Sequence, residues 1–134
     1  MIRKCIVIDN SKNYSSNYDR YICVDEENAN EIYECIESKR KKWKVIIERT
    51  LTQPNIYWDS YAKEKKNDRS KNVTAIKFFD KDNTRIYCQE LSNRNGQFYI
   101  ICAVLLLSKK TQKNDNRINE ILKKISNYEY EIIQ

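Results

Sequence analysis

From Val73 to Leu107, three apolar stretches are divided by two turn signals, and few arrangements accommodate that order. Val73 to Phe79 alternates as a strand does, Asp80 to Asn83 reads as a turn, and Thr84 to Leu91 alternates again. Ser92 to Gly96 is the second turn. Its Asn95-Gly96 pair suits a tight hairpin because both residues tolerate positive φ, and Gly96 is the only glycine in the chain. Gln97 to Leu107 is almost wholly apolar, as expected of a central strand covered on both faces. The three stretches together predict an antiparallel meander.

The alternation also fixes a register. Thr74, Ile76 and Phe78 share one face of the first strand, and Thr84, Ile86 and Cys88 share one face of the second. A helix-covered core needs these sets on the same side. That pairs Ile76 with Ile86 and Lys77 with Arg85, and it demands an extra residue or a bulge at the turn. Lys77, Arg85, Tyr87 and Gln89 are then expected to project from the face away from the helices. Two cations, a phenol and an amide on a rigid sheet can hold a phosphate and a ribose. The same pattern also describes an ordinary solvated face of an antiparallel sheet.

Upstream, residues 4–8 and Tyr21 to Val24 read as strands, with a polar loop between them. Residues 27–52 read as helix. Ala29, Ile32, Tyr33 and Ile36 form one apolar set, and Trp43, Ile46, Ile47 and Leu51 form another. The block Lys39-Arg40-Lys41-Lys42 between them is either the middle of one long helix or the junction of a helical hairpin. Pro54 ends the element. Residues 55–72 are irregular, with Tyr57, Trp58 and Tyr61 as packing anchors. Downstream, Asn114 or Asp115 caps a helix whose stripe is Ile118, Ile121, Leu122 and Ile125, and Tyr128 to Gln134 alternates as a short strand or extended tail. No internal repeat or linker divides the chain, so residues 1–134 are read as a single α+β domain.

The formal charge is +6, which favours an anionic partner such as nucleic acid, an acidic protein or a membrane surface. Five cysteines, none in a two-residue spacing, and the absence of histidine argue against a zinc site; reduced thiols fit the cytosol. No signal peptide is expected, because Arg3-Lys4 leads only into the short run Cys5 to Ile8. The run Phe98 to Leu107 is too short to span a bilayer. The basic stretch Lys109-Lys110-Thr111-Gln112-Lys113 follows the central strand, where cations could meet a phosphate or simply keep a hydrophobic hairpin soluble.

Read as a unit, residues 73–113 and the helix beyond them resemble the HigB-like, phage-associated branch of the RelE/ParE toxin superfamily. The resemblance rests on a strand, Asn83-Thr84-Arg85-Ile86-Tyr87, a glycine turn, a very apolar strand, Lys109-Lys110-Thr111-Gln112-Lys113, and a helix leading to Tyr128-Glu129-Tyr130. It covers about the C-terminal half, and the N-terminal half agrees only in outline. It implies a small antiparallel sheet with helices packed on one face and an active cleft on the other. It also implies a toxin that cleaves mRNA without a metal or cofactor, often on the translating ribosome, and that is silenced by a cognate antitoxin, in the simplest case a helix-turn-helix protein. Relatives of the ParE branch act on gyrase instead, and a basic protein that binds nucleic acid without chemistry is the other alternative.

Carried over by position, Lys77 and Arg85 are strand cations for the RNA backbone, and Lys109 or Lys110 is the basic residue after the central strand. Gln89, Gln112 and Lys113 would join the RNA-binding set. Tyr87, Tyr128 and Tyr130 are candidates for stacking or proton transfer. In such a cleavage the 2′-OH attacks the adjacent phosphate. Arg85 and Lys110 would stabilise that phosphate, Lys77 would be the base, and a tyrosine the acid. Glu90 is the lesser candidate base, because alternation puts it on the helix side. With no histidine in the chain, a histidine acid or base is excluded.

Overall fold

The computed structural model describes residues 1–64, 71–108 and 116–134. Within them the meander forms as the alternation requires. Strand β4 (Val73–Lys77) pairs antiparallel with β5 (Arg85–Ser92), and β5 pairs antiparallel with β6 (Phe98–Leu106). Ile76 stands opposite Ile86, and Lys77 opposite Arg85. The register is absorbed in the connecting loop, where Phe79 (φ 53°) and Asn83 (φ 57°) are left-handed. Gly96 (φ 82°) takes the left-handed position of the second turn, which it closes by donating from its N–H to the Asn93 carbonyl at 3.2 Å.

Two N-terminal strands extend the sheet. β1 (Ile2–Asn10) and β2 (Arg20–Asp25) pair antiparallel, and β2 lies parallel to β6, with Ile22 beside Ile100 and Val24 beside Cys102. The short β3 (Tyr61–Lys63) adds to β4, within a stretch expected to be irregular. The C-terminal β7 (Glu129–Ile133) runs parallel to β1, so the last segment is a strand rather than a tail. Among the described residues the order is β3-β4-β5-β6-β2-β1-β7. The sheet is therefore larger than the small antiparallel one expected, and mixed: two parallel seams join terminal strands that the residue pattern alone could not orient.

Residues 29–52 form a helical hairpin, α1 (Ala29–Ser38) and α2 (Arg40–Thr52), broken at Lys39. Ile32 and Cys35 of α1 and Trp43, Ile46, Ile47 and Leu51 of α2 pack on Ile22, Val24, Ile76, Phe78, Ile86, Cys88, Ile100 and Cys102. Tyr33, expected in the stripe, is 40% exposed. Helix α2 ends before Pro54. The buried Arg20 guanidinium donates to the carbonyls of Thr50 (2.9 Å), Gln53 and Pro54 (3.1 Å), which the helix end leaves without intrahelical partners.

Helix α3 (Asn116–Asn127) lies on the other face. Its Ile118, Leu122 and Ile125 pack on Val73, Ala75, Tyr87 and Ala103. This overturns the expectation of helices on one face only. An amphipathic stripe must be buried somewhere, and β4 offers a second apolar surface, because Val73 and Ala75 alternate with Thr74 and Ile76. A third cluster, Cys5, Tyr21, Cys23, Tyr99 and Ile101 with Tyr130 and Ile132, continues that face beneath the terminal strands. All five cysteines are buried free thiols. No helix among the described residues is long and apolar enough to cross a membrane.

Ile125 is fully buried against β4 and β5. Ile125→Ala is expected to cost roughly 2–5 kcal/mol of stability, as for other buried aliphatic truncations. Urea unfolding measures it, and a loss below about 1 kcal/mol would mean that α3 does not cover this face.

Candidate functional site

The pairing of β4, β5 and β6 puts three positions in a row. Lys77 is opposite Arg85, and Arg85 is opposite Leu106, near the end of β6. Glu64, just after β3, closes the row. Its Oε1 accepts from Arg85 Nη1 at 2.7 Å and lies 3.8 Å from Lys77 Nζ. The three side chains differ in exposure. Arg85 and Glu64 are nearly fully buried, whereas 22% of the Lys77 side chain meets solvent. Such a pair survives burial because each ion offsets the other's lost hydration; removing one would strand the other in a low-dielectric site. Arg85 Nε has no hydrogen-bond partner among the described residues, so the guanidinium keeps one donor beyond its contact with Glu64.

Arg85 is thus not the open phosphate ligand expected; it is an ion-paired group behind Lys77. Tyr87 and Gln89 also depart from expectation. They do share the face of Lys77 and Arg85, but α3 covers it. Tyr87 is fully buried among Val73, Ala75, Ile118 and Leu122. Gln89 Nε2 donates to the carbonyls of Ile125 (2.7 Å) and Tyr128 (2.8 Å), where α3 ends, and cannot at the same time serve a ribose.

Tyr128 and Tyr130 belong to a different constellation. Tyr130 lies on β7, four strand steps from β5, on the order of 19 Å away. Its hydroxyl donates to Asp25 Oδ2 at 2.6 Å, and the same oxygen accepts from Arg3 Nε at 2.7 Å. Burial and then this hydrogen bond push the Tyr130 phenol well above its ordinary range, so it holds its proton on Asp25. The Tyr128 ring is covered by the Arg3 guanidinium, 4.1 Å from the ring centre. Neither ring faces the Lys77 row. Glu90 lies on the helix side, as alternation indicates, where its carboxylate accepts from Tyr57 (2.8 Å) and Tyr61 (2.7 Å). Lys109, Lys110, Gln112 and Lys113 lie outside the described residues, as do Asn114 and Asp115.

The residue pattern did not single out Glu64, Trp58 or Phe79 for the site. Phe78 is buried at 2% exposure in the α1/α2 core, so its neighbour Phe79 turns outward and is 59% exposed. A left-handed aromatic residue costs about 1–2 kcal/mol relative to the usual backbone, and the surrounding loop must supply it. Asp80 does so: its carboxylate meets Lys39 Nζ at 2.7 Å and accepts from both the N–H and the hydroxyl of Thr84, each at 2.7 Å. Lys42 Nζ donates to the Phe78 carbonyl at 3.0 Å. The loop is therefore tied to the hairpin junction at two points. The signal for Phe79 was present in the alternation, which puts consecutive aromatics on opposite sides of a strand.

Two measurements test this geometry. Glu64→Ala strands the buried guanidinium and is expected to destabilise the fold by about 3 kcal/mol or more, with much of that recovered when Arg85→Met is added. Full additivity of the two substitutions would deny the ion pair. Burial would raise the Asp80 carboxyl, but the bonds from Lys39 and Thr84 outweigh it and hold the group below its ordinary value of 3.8. A depressed acid stabilises the fold above its unfolded value, and that contribution fades as pH falls through the lower folded value. The stability gap between the parent and Asp80→Asn should therefore be full at neutral pH and shrink on acidification from about pH 4 downward; a gap that widens in acid would contradict the arrangement.

Comparison with models of known families, with curated proteins and with solved structures finds no match to this chain.

Proposed function

We propose that this chain is an RNA-directed toxin of the RelE/HigB kind: a cytosolic, metal-independent mRNA endoribonuclease that inhibits translation and is held silent by a cognate antitoxin. The observation that carries the reading is the row Lys77, Arg85, Leu106, which sets two strand cations beside the end of β6. Three residues beyond Leu106 the sequence enters Lys109-Lys110-Thr111-Gln112-Lys113. Cations gathered around one strand end suit a scissile phosphate. The α1/α2 hairpin on one face agrees with the fold that the resemblance implies.

The burial pattern reassigns the parts. Lys77, the solvent-reaching member of the row, is the group that meets the phosphate or the attacking 2′-OH. Arg85 is a positioning residue, holding Glu64 against Lys77. Lys109 and Lys110 complete the charge that the extra negative phosphate oxygen requires in the transition state. Tyr87, Gln89 and Tyr130 take no part in the chemistry.

A second reading, a basic protein that binds RNA without cutting it, is favoured by the burial of Tyr87, which removes the nearest phenol from proton transfer. Induction in a bacterial host separates the two. The parent chain should arrest growth and leave cleaved transcripts. Lys77→Ala and the double variant Lys109→Ala/Lys110→Ala should each relieve arrest while retaining the parent circular dichroism. Intact transcripts with steeply salt-dependent RNA binding would favour the binder. DNA damage without translation arrest would indicate a gyrase-directed action, and full toxicity of both variants would sink the site.

A further inference from the structure

Beside the Lys77 row lies a cleft of about 700 Å³ lined by Trp58, Asp59, Ser60, Ala62, Lys77 and Phe79. A second cleft of about 480 Å³ shares Trp58, Ser60 and Phe79 with it and runs on to Lys41, Lys42 and Val45 of α2. We infer that the Trp58–Phe79 cleft is a nucleobase site: it takes one unpaired base of single-stranded RNA, while Lys77 holds the adjoining phosphate. The inference rests on the RNA-directed reading and names the part of the substrate that this surface grips.

Three features select this occupant. The Phe79 ring is 59% exposed at the mouth of both clefts, although an apolar ring of that size is ordinarily withdrawn from water. Every base has a π face, so an exposed aromatic ring serves any of them as a stacking platform. The polar groups are few and of the right kinds. Asp59 can accept from a base edge, Ser60 can donate or accept, and Lys77 supplies one compact positive charge. The last feature is preorganisation. Asp80 tied to Lys39, together with Phe78 tied to Lys42, fixes the Phe79 backbone before anything binds, so little order need be imposed on binding. The cations Lys41 and Lys42, lining the adjoining cleft, continue the path for a polyanion. An apolar peptide would gain from Val45 and Phe79 but would leave Asp59 without a donor.

The probe is a 2′-O-methyl heptanucleotide, which cannot be cut because the attacking hydroxyl is blocked. Binding is followed by tryptophan fluorescence over a range of salt concentrations. The parent should bind with quenching. Phe79→Ala should weaken binding roughly 5- to 100-fold, the effect of deleting one base stack, with the salt dependence unchanged. Phe79→Trp should restore affinity. Lys77→Gln should lower the salt slope by about 0.7, the amount for one phosphate contact on a single strand. If the parent binds with steep salt dependence and Phe79→Ala binds equally well, the base site is refuted and the RNA-directed reading stands. If the parent binds no oligonucleotide, both fall. The exposure of Phe79 makes its substitution compatible with folding, and an unchanged urea midpoint verifies that.

Discussion

The structure depends on covering both faces of β5 and β6. An antiparallel meander can leave one face in water, and then its outward polar side chains are free to bind. Here the α1/α2 hairpin takes one face and α3 the other. Each polar side chain on the covered strands must then find a partner inside the protein, because an unpaired buried polar group costs more than its hydrogen bond returns. Gln89 closes the end of α3, Glu90 gathers the hydroxyls of Tyr57 and Tyr61, and Arg85 pairs with Glu64. These residue types look like a binding face when read along a strand, and they behave as internal joinery once a helix is laid over them.

Chemistry is then left to the places where coverage stops. On the Lys77 side the sheet emerges past α3. There a partly exposed cation, a buried ion pair behind it and an outward aromatic ring come together. The other end of the sheet is closed differently. Asp25 is fully buried and is shared by Arg3 and Tyr130, so β2, β1 and β7 are joined through one carboxylate. That cluster explains why the terminal tyrosines serve the fold and lie far from the proposed cleft.

The arrangement separates roles that a linear reading merged. Lys77 and Arg85 are directly paired, yet differ in access to solvent because Glu64 lies against one and only near the other. Charge meant for a phosphate works best when it is held in place without being neutralised. A carboxylate at 2.7 Å from Arg85 and 3.8 Å from Lys77 orients the first tightly and leaves more of the second's field for a ligand.

Much of the fold was legible in the residues. Strand period and turn chemistry are local, so the meander, the opposition of Ile76 to Ile86, the opposition of Lys77 to Arg85, and the turn at Gly96 followed from alternation and from glycine's freedom at positive φ. The helical stripes were equally local, although whether Lys39 continued or broke the helix was open until packing decided it. Three things were left to tertiary structure. The parallel seams β2–β6 and β1–β7 join segments far apart in sequence, and no local period encodes which terminal strand meets which edge. The side of the sheet taken by α3 depended on the second apolar surface of β4, and it decided the burial of Tyr87 and Gln89. The pairing of Arg85 with Glu64, twenty-one residues away, arose only when β3 closed on β4. Sequence determines which side chains share a face, because that is set by backbone period; tertiary packing determines whether the face meets water, because that requires a second element to arrive.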